Sequence, residues 1–268
     1  MIIIQPLGGL GNVLFVICNG IALSKEYNMP LLINRQYHDK RKNITNYEMF
    51  KNLRYVDQSF INKLRDLKMY REPEYKYNKI HLMRNTATRV HGYFQSYKYF
   101  QPYLSEIKNL LWANIKEIVD DAQIKINNLK GSKQLVMIHV RRGDYLELPE
   151  FHPTQPEDYY KSCLNDLTSF YKNDDLKLIV FSDDINYCRN MNVFKEFDTY
   201  YETEPDPEKA FILMTKCDHH IIANSSMSLL STYFRDNYGK IYAPRLWFGP
   251  KGPTYDINDI VLPETKLF

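Results

Sequence analysis

Two adjacent arginines, Arg141 and Arg142, follow directly on the apolar run Gln134–Val140 and precede Gly143 and Asp144. A guanidinium holds phosphate oxygens through charge-assisted, often bidentate hydrogen bonds, and a glycine lets the backbone turn tightly beside them. The pattern therefore indicates an anion site suited to a diphosphate. The alternative is a surface turn in which the arginines only pair with Asp144.

The element before the arginines is predicted to be a strand, because the run is short and rich in β-branched residues, as in strands buried on both faces of a parallel sheet. Two further groups of polar residues follow predicted strands in the second half of the chain: Asp183 and Asp184, and then Asn224, Ser225 and Ser226. The carboxyl ends of parallel strands meet at one edge of a sheet, where α/β proteins bind ligands. We therefore expect all three groups to lie together.

The residue types in these groups suit a nucleoside diphosphate. Serines at a helix N-terminus favour phosphate, because unpaired backbone N–H groups and the helix dipole both attract an anion. A carboxylate can accept hydrogen bonds from the N1–H and exocyclic amine of guanine, which makes Asp183 or Asp184 a candidate purine selector. The alternative for either aspartate is a helix N-cap.

A glycine-rich turn that contains Gly9, Gly11 and Asn12 lies between a predicted first strand, residues 1–5, and a predicted helix, residues 13–27. A dinucleotide-binding Rossmann unit would use a similar turn. Two positions argue against that reading, since Leu14 replaces the third glycine and the second strand, Leu31–Asn34, ends without an acidic residue. A glycine turn needed only for close strand–helix packing remains the other alternative.

The alternation of strands and helices predicts an α/β protein with two domains, residues 1–131 and 132–268. Apolar spacing predicts one long helix over residues 104–129, ended by Gly131. In the second domain we expect a helix from Asp206-Pro207, another from residue 224 to Gly239, and a strand at residues 240–243 that closes the sheet. The tail, residues 247–268, is expected to return to the first domain.

Composition excludes several classes of protein. The chain has 268 residues, 44% of them hydrophobic, and a formal net charge of +3 from 35 basic and 32 acidic residues. No basic stripe marks a nucleic-acid partner, and no apolar run is long enough to span a membrane, although peripheral association stays open. The first residues lack the pattern of a signal peptide, and the four cysteines are widely separated, so we expect a cytoplasmic protein with reduced thiols.

The sequence predicts no metal site. Asp183 and Asp184 lack the spacing of a DxD metal motif, and a pair of arginines can neutralise a diphosphate without a cation. A zinc site at residues 217–220, Cys-Asp-His-His, is the alternative. We instead interpret this stretch as a helix end that enters a strand, where adjacent histidines point to opposite faces.

Five motifs, in this order along the chain, resemble those of the α-1,2-fucosyltransferase family, which transfers fucose from GDP-fucose. They are Gly8-Gly9-Leu10-Gly11-Asn12, Gly92-Tyr93-Phe94-Gln95-Ser96, His139-Val140-Arg141-Arg142-Gly143-Asp144-Tyr145, Phe181-Ser182-Asp183-Asp184 and Ile221-Ile222-Ala223-Asn224-Ser225-Ser226. The resemblance implies a glycosyltransferase B fold, with two facing Rossmann-like domains and the donor mainly in the second. It also implies inverting, metal-independent transfer of fucose from GDP-fucose to a glycan hydroxyl, such as O2 of a galactose.

The resemblance also implies roles for individual residues. Arg141 would bind the diphosphate, His139 and one of Asp183 or Asp184 would face the guanosine, and the phosphates would contact Ser225 and Ser226. Gly9, Gly11 and Asn12 would approach the donor from the first domain, the acceptor side. One departure is residues 227–230, Met-Ser-Leu-Leu, where many relatives have an aromatic segment.

The general base is left open among Asp144, Glu147 and Glu150, and we expect Asp144 mainly to orient Arg142. Two rival functions also remain. One is a glycosyltransferase that uses another GDP-sugar, and the other is a non-catalytic nucleotide or carbohydrate binder on the same fold.

Overall fold

A computed structural model describes residues 1–35 and 47–268. Contacts divide this part of the chain into two units. Unit 1 comprises Met1–Lys116 and Thr254–Ile260, and unit 2 comprises Glu117–Pro253 and Val261–Phe268. The division falls earlier than the boundary that the sequence predicts near residue 131. Within the predicted tail, only Thr254–Ile260 groups with the first unit.

Unit 1 is built on a parallel sheet with the strand order β3-β2-β1-β5-β4. The strands are β1 (Ile2–Ile4), β2 (Leu31–Asn34), β3 (Tyr55–Val56), β4 (Lys68–Arg71) and β5 (Thr88–His91). Its helices are α1 (Leu10–Tyr27), α2 (Gln58–Ile61), α3 (Leu104–Asn114) and, from the C-terminal segment, α9 (Ile257–Ile260). Successive strands extend from β1 to one side and β5 pairs with its other side, so the order of the sheet switches between β1 and β5.

Helix α1 follows the glycine-rich turn, as the sequence predicts, and begins at Leu10. Gly8 takes a φ of 81°, a left-handed conformation that glycine adopts without steric cost. The helix is apolar over most of its circumference because it is buried in the unit, and Gly20 allows close contact with the Ile4 side chain of β1. It ends at the left-handed C-cap residue Asn28.

Unit 2 contains a second parallel sheet, with the order β11-β10-β9-β6-β7-β8. Its strands are β6 (Gln134–Val140), β7 (Leu176–Ser182), β8 (Asp198–Tyr201), β9 (His219–Ile221), β10 (Ile241–Ala243) and β11 (Lys266–Leu267). Its helices are α4 (Lys116–Lys130), α5 (Glu157–Leu167), α6 (Ile185–Asn190), α7 (Pro207–Thr215) and α8 (Ser226–Tyr233). The order switches between β6 and β9, and the carboxyl ends of strands at such a switch are where open α/β sheets bind ligands.

The core of unit 2 explains why its central strands are almost wholly apolar. Alternate residues of β6, Val136, Ile138 and Val140, pack against Tyr160 and Leu164 of α5. The intervening residues of β6 are also buried. Strands covered on both faces carry continuous apolar runs, and this is the pattern from which β6 and β7 were predicted.

Three sequence expectations are wrong in detail. The predicted helix over residues 104–129 is two helices, because Ile115 leaves the helical conformation where the Asn114 amide donates to the carbonyl of Met49 at 2.8 Å. Helix α8 ends at Tyr233 rather than at Gly239, since the Asp236 N–H donates to the Thr215 carbonyl instead of continuing the helix. The edge of the sheet is β11 rather than β10.

Candidate functional site

The polar groups predicted to lie together follow strands β6, β7 and β9, which are neighbours in the sheet. Arg141 and Arg142 follow β6, Asp183 and Asp184 follow β7, and the Asn224 group follows β9. Since β6 and β9 flank the switch point, the cluster lies at the edge of the sheet where α/β proteins bind ligands.

The Arg141 guanidinium lies between two carboxylates. Its Nη2 is 2.5 Å from Asp144 Oδ1 and its Nη1 is 2.9 Å from Asp183 Oδ2. It also lies over the Tyr145 ring, with Cζ 5.3 Å from the ring centroid. The expectation that Asp144 orients Arg142 is therefore wrong: in the one-turn 3-10 helix Gly143–Leu146, the Asp144 carboxylate points back to Arg141.

Arg142 is held by different partners. Its Nε donates to Asp184 Oδ2 at 3.1 Å, its backbone N–H donates to Asp183 Oδ1 at 2.9 Å, and its guanidinium stacks on the Tyr187 ring at 3.5 Å. Asp184 is also the N-cap of α6, since its Oδ1 accepts the Tyr187 N–H at 3.1 Å. The N-cap alternative is thus realised for Asp184, and the same carboxylate orients an arginine.

Gly143 makes this arrangement possible by leaving room for Asp183. A Cβ at position 143 would lie 2.5 Å from Asp183 Oδ2, closer than real Cβ contacts allow. The glycine is therefore required for close approach of the carboxylate that ties the two arginines together.

The cluster holds two guanidinium groups and three carboxylates, so an incoming anion competes with these carboxylates for the arginines. The Asp144 side chain is 64% exposed and the Asp183 side chain 26% exposed. An exposed ion pair contributes about 0–1 kcal/mol, so the Arg141–Asp144 pair is easily exchanged for an Arg141–phosphate pair. Asp183 is the more firmly held partner.

His139 lies on β6, two residues before Arg141, and is buried. Its Nδ1 is 2.9 Å from the Ser228 hydroxyl, and its backbone carbonyl accepts the Tyr160 hydroxyl at 3.1 Å. Burial, reinforced by the Arg141 charge, lowers the pKa of His139 to about 3, so the imidazole is neutral at physiological pH. Sequence reasoning missed Ser228; its only signal was its position near the start of the helix that follows β9.

Asn224 is buried and its side chain is fully engaged inside the protein. Its Nδ2 donates to the carbonyls of Pro153 at 3.0 Å and Trp247 at 2.9 Å, and its Oδ1 accepts from Gln155 Nε2 at 3.1 Å. Its carbonyl accepts the Tyr145 hydroxyl at 2.9 Å. The predicted donor-binding residue therefore joins two loops to the end of β9.

The two serines lie at the start of α8, as predicted. Ser225 is the N-cap, with extended backbone and no hydrogen bond from its side chain to the helix, and Ser226 is the first helical residue. The first N–H groups of a helix lack partners within the helix, and both serines are partly exposed. An anion there would meet both the hydroxyls and the positive end of the helix.

The predicted residues of unit 1 lie at the start of α1. Gly9 is the N-cap, Gly11 is buried in the first turn, and Asn12 Oδ1 accepts a hydrogen bond from Gln95 Nε2 at 2.9 Å. This bond joins the first and second family motifs. Sequence reasoning missed Glu72, which follows β4.

The Glu72 carboxylate holds the turn after β5, because Oε2 accepts the N–H groups of Tyr93 at 2.7 Å and Phe94 at 3.0 Å. Burial raises the pKa of Glu72, partly offset by these two hydrogen bonds. The second family motif is thus a backbone turn fixed by an acidic residue from the neighbouring strand.

Each histidine of the alternative zinc site has one ring nitrogen bound to the backbone of another segment. His219 Nδ1 accepts the Lys240 N–H at 2.9 Å, and His220 Nε2 is 3.0 Å from the Met214 carbonyl. Over residues 1–35 and 47–268, no three His, Cys, Asp or Glu side chains are grouped so that they could bind a metal ion. None of the helices in that part of the chain has the length and apolar character needed to cross a membrane.

The two parallel sheets are those of an α/β protein of the glycosyltransferase B type. The model of glycosyl transferase family 11 matches residues 27–248. The chain belongs to this family and is a glycosyltransferase.

Individual relatives agree with this assignment. Alpha-1,2-colitosyltransferase of Escherichia coli is 28% identical over 274 residues, covering 92% of each chain. The O-antigen biosynthesis glycosyltransferase WbnK of Escherichia coli is 30% identical over 168 residues, or 59% of this chain and 54% of its own. NodZ α-1,6-fucosyltransferase co-crystallized with GDP has a TM-score of 0.55 at 13% identity, over 87% of this chain and 92% of that chain.

Proposed function

We propose that the protein transfers L-fucose from GDP-fucose, with inversion, to a hydroxyl of a glycan acceptor, such as O2 of a galactose. The observation that carries the proposal is the arginine pair at the unit 2 switch point, beside the N-terminus of α8. The likeness to a GDP-bound fucosyltransferase fold and to an α-1,2-linking relative supports it.

The proposed chemistry follows from where charge develops. The bond between the sugar carbon and the β-phosphate oxygen breaks, its electron pair stays on the GDP, and the acceptor oxygen forms the new bond from the opposite face. Negative charge therefore grows on the β-phosphate. Arg141, already in position and paired with an exposed, displaceable carboxylate, is suited to stabilise that charge.

We also propose that the transfer needs no metal ion, because Arg141 and Arg142 can supply the positive charge on the diphosphate. Activity should be unchanged after dialysis against EDTA. Loss of activity on chelation, with recovery on addition of Mn²⁺ or Mg²⁺, would contradict this part of the proposal.

Colitose transfer is the second candidate, because the relative that covers 92% of this chain is a colitosyltransferase. A screen with GDP-fucose, GDP-colitose, GDP-mannose and UDP-galactose, each with a panel of glycan acceptors, separates the candidates by product mass and linkage. We expect GDP-fucose to be used best. Binding of GDP without turnover of any donor would instead favour a non-catalytic binder.

Cytoplasmic location is part of the proposal. The four cysteines are free and buried, as expected for thiols in a reducing compartment. Fractionation of cells that make the protein, followed by immunoblotting, tests the location, and recovery outside the cytoplasmic fraction would contradict it.

A further inference from the structure

His152 lies in the loop that follows the arginine cluster of unit 2. Its ring stacks on Tyr145, with centroids 4.8 Å apart and planes at 21°, and the same Tyr145 ring contacts the Arg141 guanidinium. The Tyr145 hydroxyl donates to the Asn224 carbonyl, and the His152 N–H donates to the Leu148 carbonyl at 2.9 Å. The imidazole is therefore held at a fixed place beside the proposed phosphate ligand.

The imidazole of His152 is held by stacking alone. Within residues 1–35 and 47–268 neither of its ring nitrogens has a hydrogen-bond partner, although the residue is half-buried. Of the three carboxylates left open as the general base, two are engaged, Asp144 with Arg141 and Glu150 with Lys251 at 2.5 Å, and the third, Glu147, is exposed. A carboxylate paired with a cation is a weak base, whereas an unpaired neutral imidazole can accept a proton.

We propose that His152 is the catalytic base of the transfer. This inference rests on the proposed function and names the residue that the sequence left open. The acceptor hydroxyl oxygen bonds to the sugar carbon, the carbon–phosphate oxygen bond breaks, and the hydroxyl proton moves to an imidazole nitrogen. The resulting imidazolium then loses its proton to water, so no other reactant is needed.

The charges around His152 link its basicity to donor binding. Burial lowers the pKa of His152, Asp144 raises it and Arg141 lowers it, while the other contacts of the ring are Tyr145 and Phe248. Phosphate oxygens on Arg141 would neutralise the charge that opposes protonation and release the Asp144 carboxylate. The imidazolium is then more stable, so the base becomes stronger when GDP-sugar is bound.

Two variants distinguish a catalytic role of His152 as a base from a role in packing. His152→Phe keeps a stacking ring and removes the nitrogens, and His152→Gln removes the ring. Glu147→Gln tests the rival candidate base from the same loop. With GDP-fucose and methyl β-galactoside, both His152 variants should lose about 10²-fold to 10⁴-fold in kcat, while GDP binding by calorimetry stays unchanged. The proposal is overturned if His152→Phe has a near-normal kcat, or if Glu147→Gln loses kcat in place of the His152 variants.

The pH profile gives a readout that a packing role would not move. The base acts when neutral, so wild-type activity should rise with pH through an apparent pKa below the ordinary histidine value of about 6.5 and then level off. This rise of activity with pH should be absent from the residual activity of His152→Gln, and added imidazole should restore part of the rate. If the variant shows the same rise, His152 is not the base.

An NMR titration of the His152 ring protons needs no turnover. We expect a pKa below the ordinary value in the free protein and a rise on saturation with GDP. Absence of that rise overturns the proposal. An enzyme inert toward GDP-fucose, yet showing the rise, refutes only the choice of donor, and the kinetics are then repeated with the donor that the screen identifies.

Discussion

The guanidinium of Arg141 is held by two carboxylates of unequal exposure. Asp144 is exposed and locally tethered, whereas Asp183 also binds the backbone N–H of Arg142 and so belongs to the frame of the site. This asymmetry suits the diphosphate-binding role proposed for Arg141, because one partner can leave while the other keeps the guanidinium in position. The two interpretations of the sequence, a surface turn in which the arginines pair with Asp144 and an anion site, thus describe the same residues.

Arg141→Ala should abolish transfer in a folded protein. Loss of one preorganised donor to developing charge costs on the order of 3 kcal/mol, about a hundredfold or more in rate, and Arg141→Lys should restore little because lysine lacks the planar fork. Steady-state kinetics and a melting curve check this. Arg189→Ala is the control, since this exposed arginine of α6 lies over Tyr201. Near-normal turnover in Arg141→Ala would mean that the donor binds elsewhere.

Gly143→Ala should weaken donor binding through Asp183. The new methyl group displaces the Asp183 carboxylate, which releases the Arg141 guanidinium and the Arg142 backbone N–H, so we expect kcat/KM to fall by about tenfold or more. A double-mutant cycle gives the check, because Gly143→Ala should add little in an Asp183→Ala background. Additive losses would show that the glycine acts by another route.

The sequence was sufficient for the residues at the strand ends but not for their partners. Arg141, Asp183 and Ser225 were predicted because an apolar run followed by polar residues is a local signal. Ser228 and Glu72 were missed, since their roles depend on contacts with His139 and with the turn at Tyr93 and Phe94, which are distant in sequence. Whether these residues bind GDP stays a prediction.

At the scale of elements, two loops beside the site are joined to the sheet by one buried amide. The loop before α5 also pairs with the loop after β10, since the Gly249 N–H donates to the Phe151 carbonyl at 3.0 Å. Asn224 connects both to the end of β9. The loop that carries His152 therefore depends on Asn224 for its position.

Asn224→Ala should loosen both loops together. The buried carbonyl of Trp247 would lose its donor, at a cost of about 1–3 kcal/mol, and the partly buried carbonyl of Pro153 would lose its donor at a smaller cost. Hydrogen exchange should quicken across residues 150–155 and 246–249, with a lower melting temperature. Asn165→Ala, on the exposed face of α5, is the control. Unchanged hydrogen exchange in these loops would contradict the prediction that Asn224 holds both of them in place.

Elements with strong local signals were predicted well, and those set by distant contacts were not. Strands β2 and β7 have the predicted bounds because apolar runs end in turn residues. Helix α7 begins at Pro207, since Asp206 caps it by accepting the Glu208 N–H at 2.8 Å. The break at Ile115 and the two-residue strand β11 have no local sequence signal.

At the scale of the molecule, the C-terminal segment Thr254–Ile260 belongs to unit 1. Asp259 forms an ion pair with Lys98 and accepts the Tyr77 N–H at 2.9 Å, and Tyr255 pairs with Tyr75. The chain therefore passes from unit 2 to unit 1 at Thr254 and returns to unit 2 at Val261.

Asp259→Ala should destabilise unit 1 in particular. The side chain of Asp259 is only 15% exposed, so its loss leaves a lysine and a backbone N–H without their acceptor, at about 1–3 kcal/mol. Hydrogen exchange around Tyr77 and Lys98 should quicken, while the core of unit 2 keeps its protection. Asn258→Ala, an exposed neighbour, should have little effect. Equal loss of protection in both units would contradict the prediction.

The returning segment also constrains how the protein folds during synthesis. Domains generally fold in order as the ribosome releases them, the N-terminal one first. Here the first strand begins at Ile2, but the segment that completes the same unit ends at Ile260 of 268 residues. A nascent chain that has emerged only as far as Pro253 contains most of unit 2 but still lacks the last segment of unit 1, so its first unit stays exposed to chaperones and proteases until Thr254–Ile260 is released.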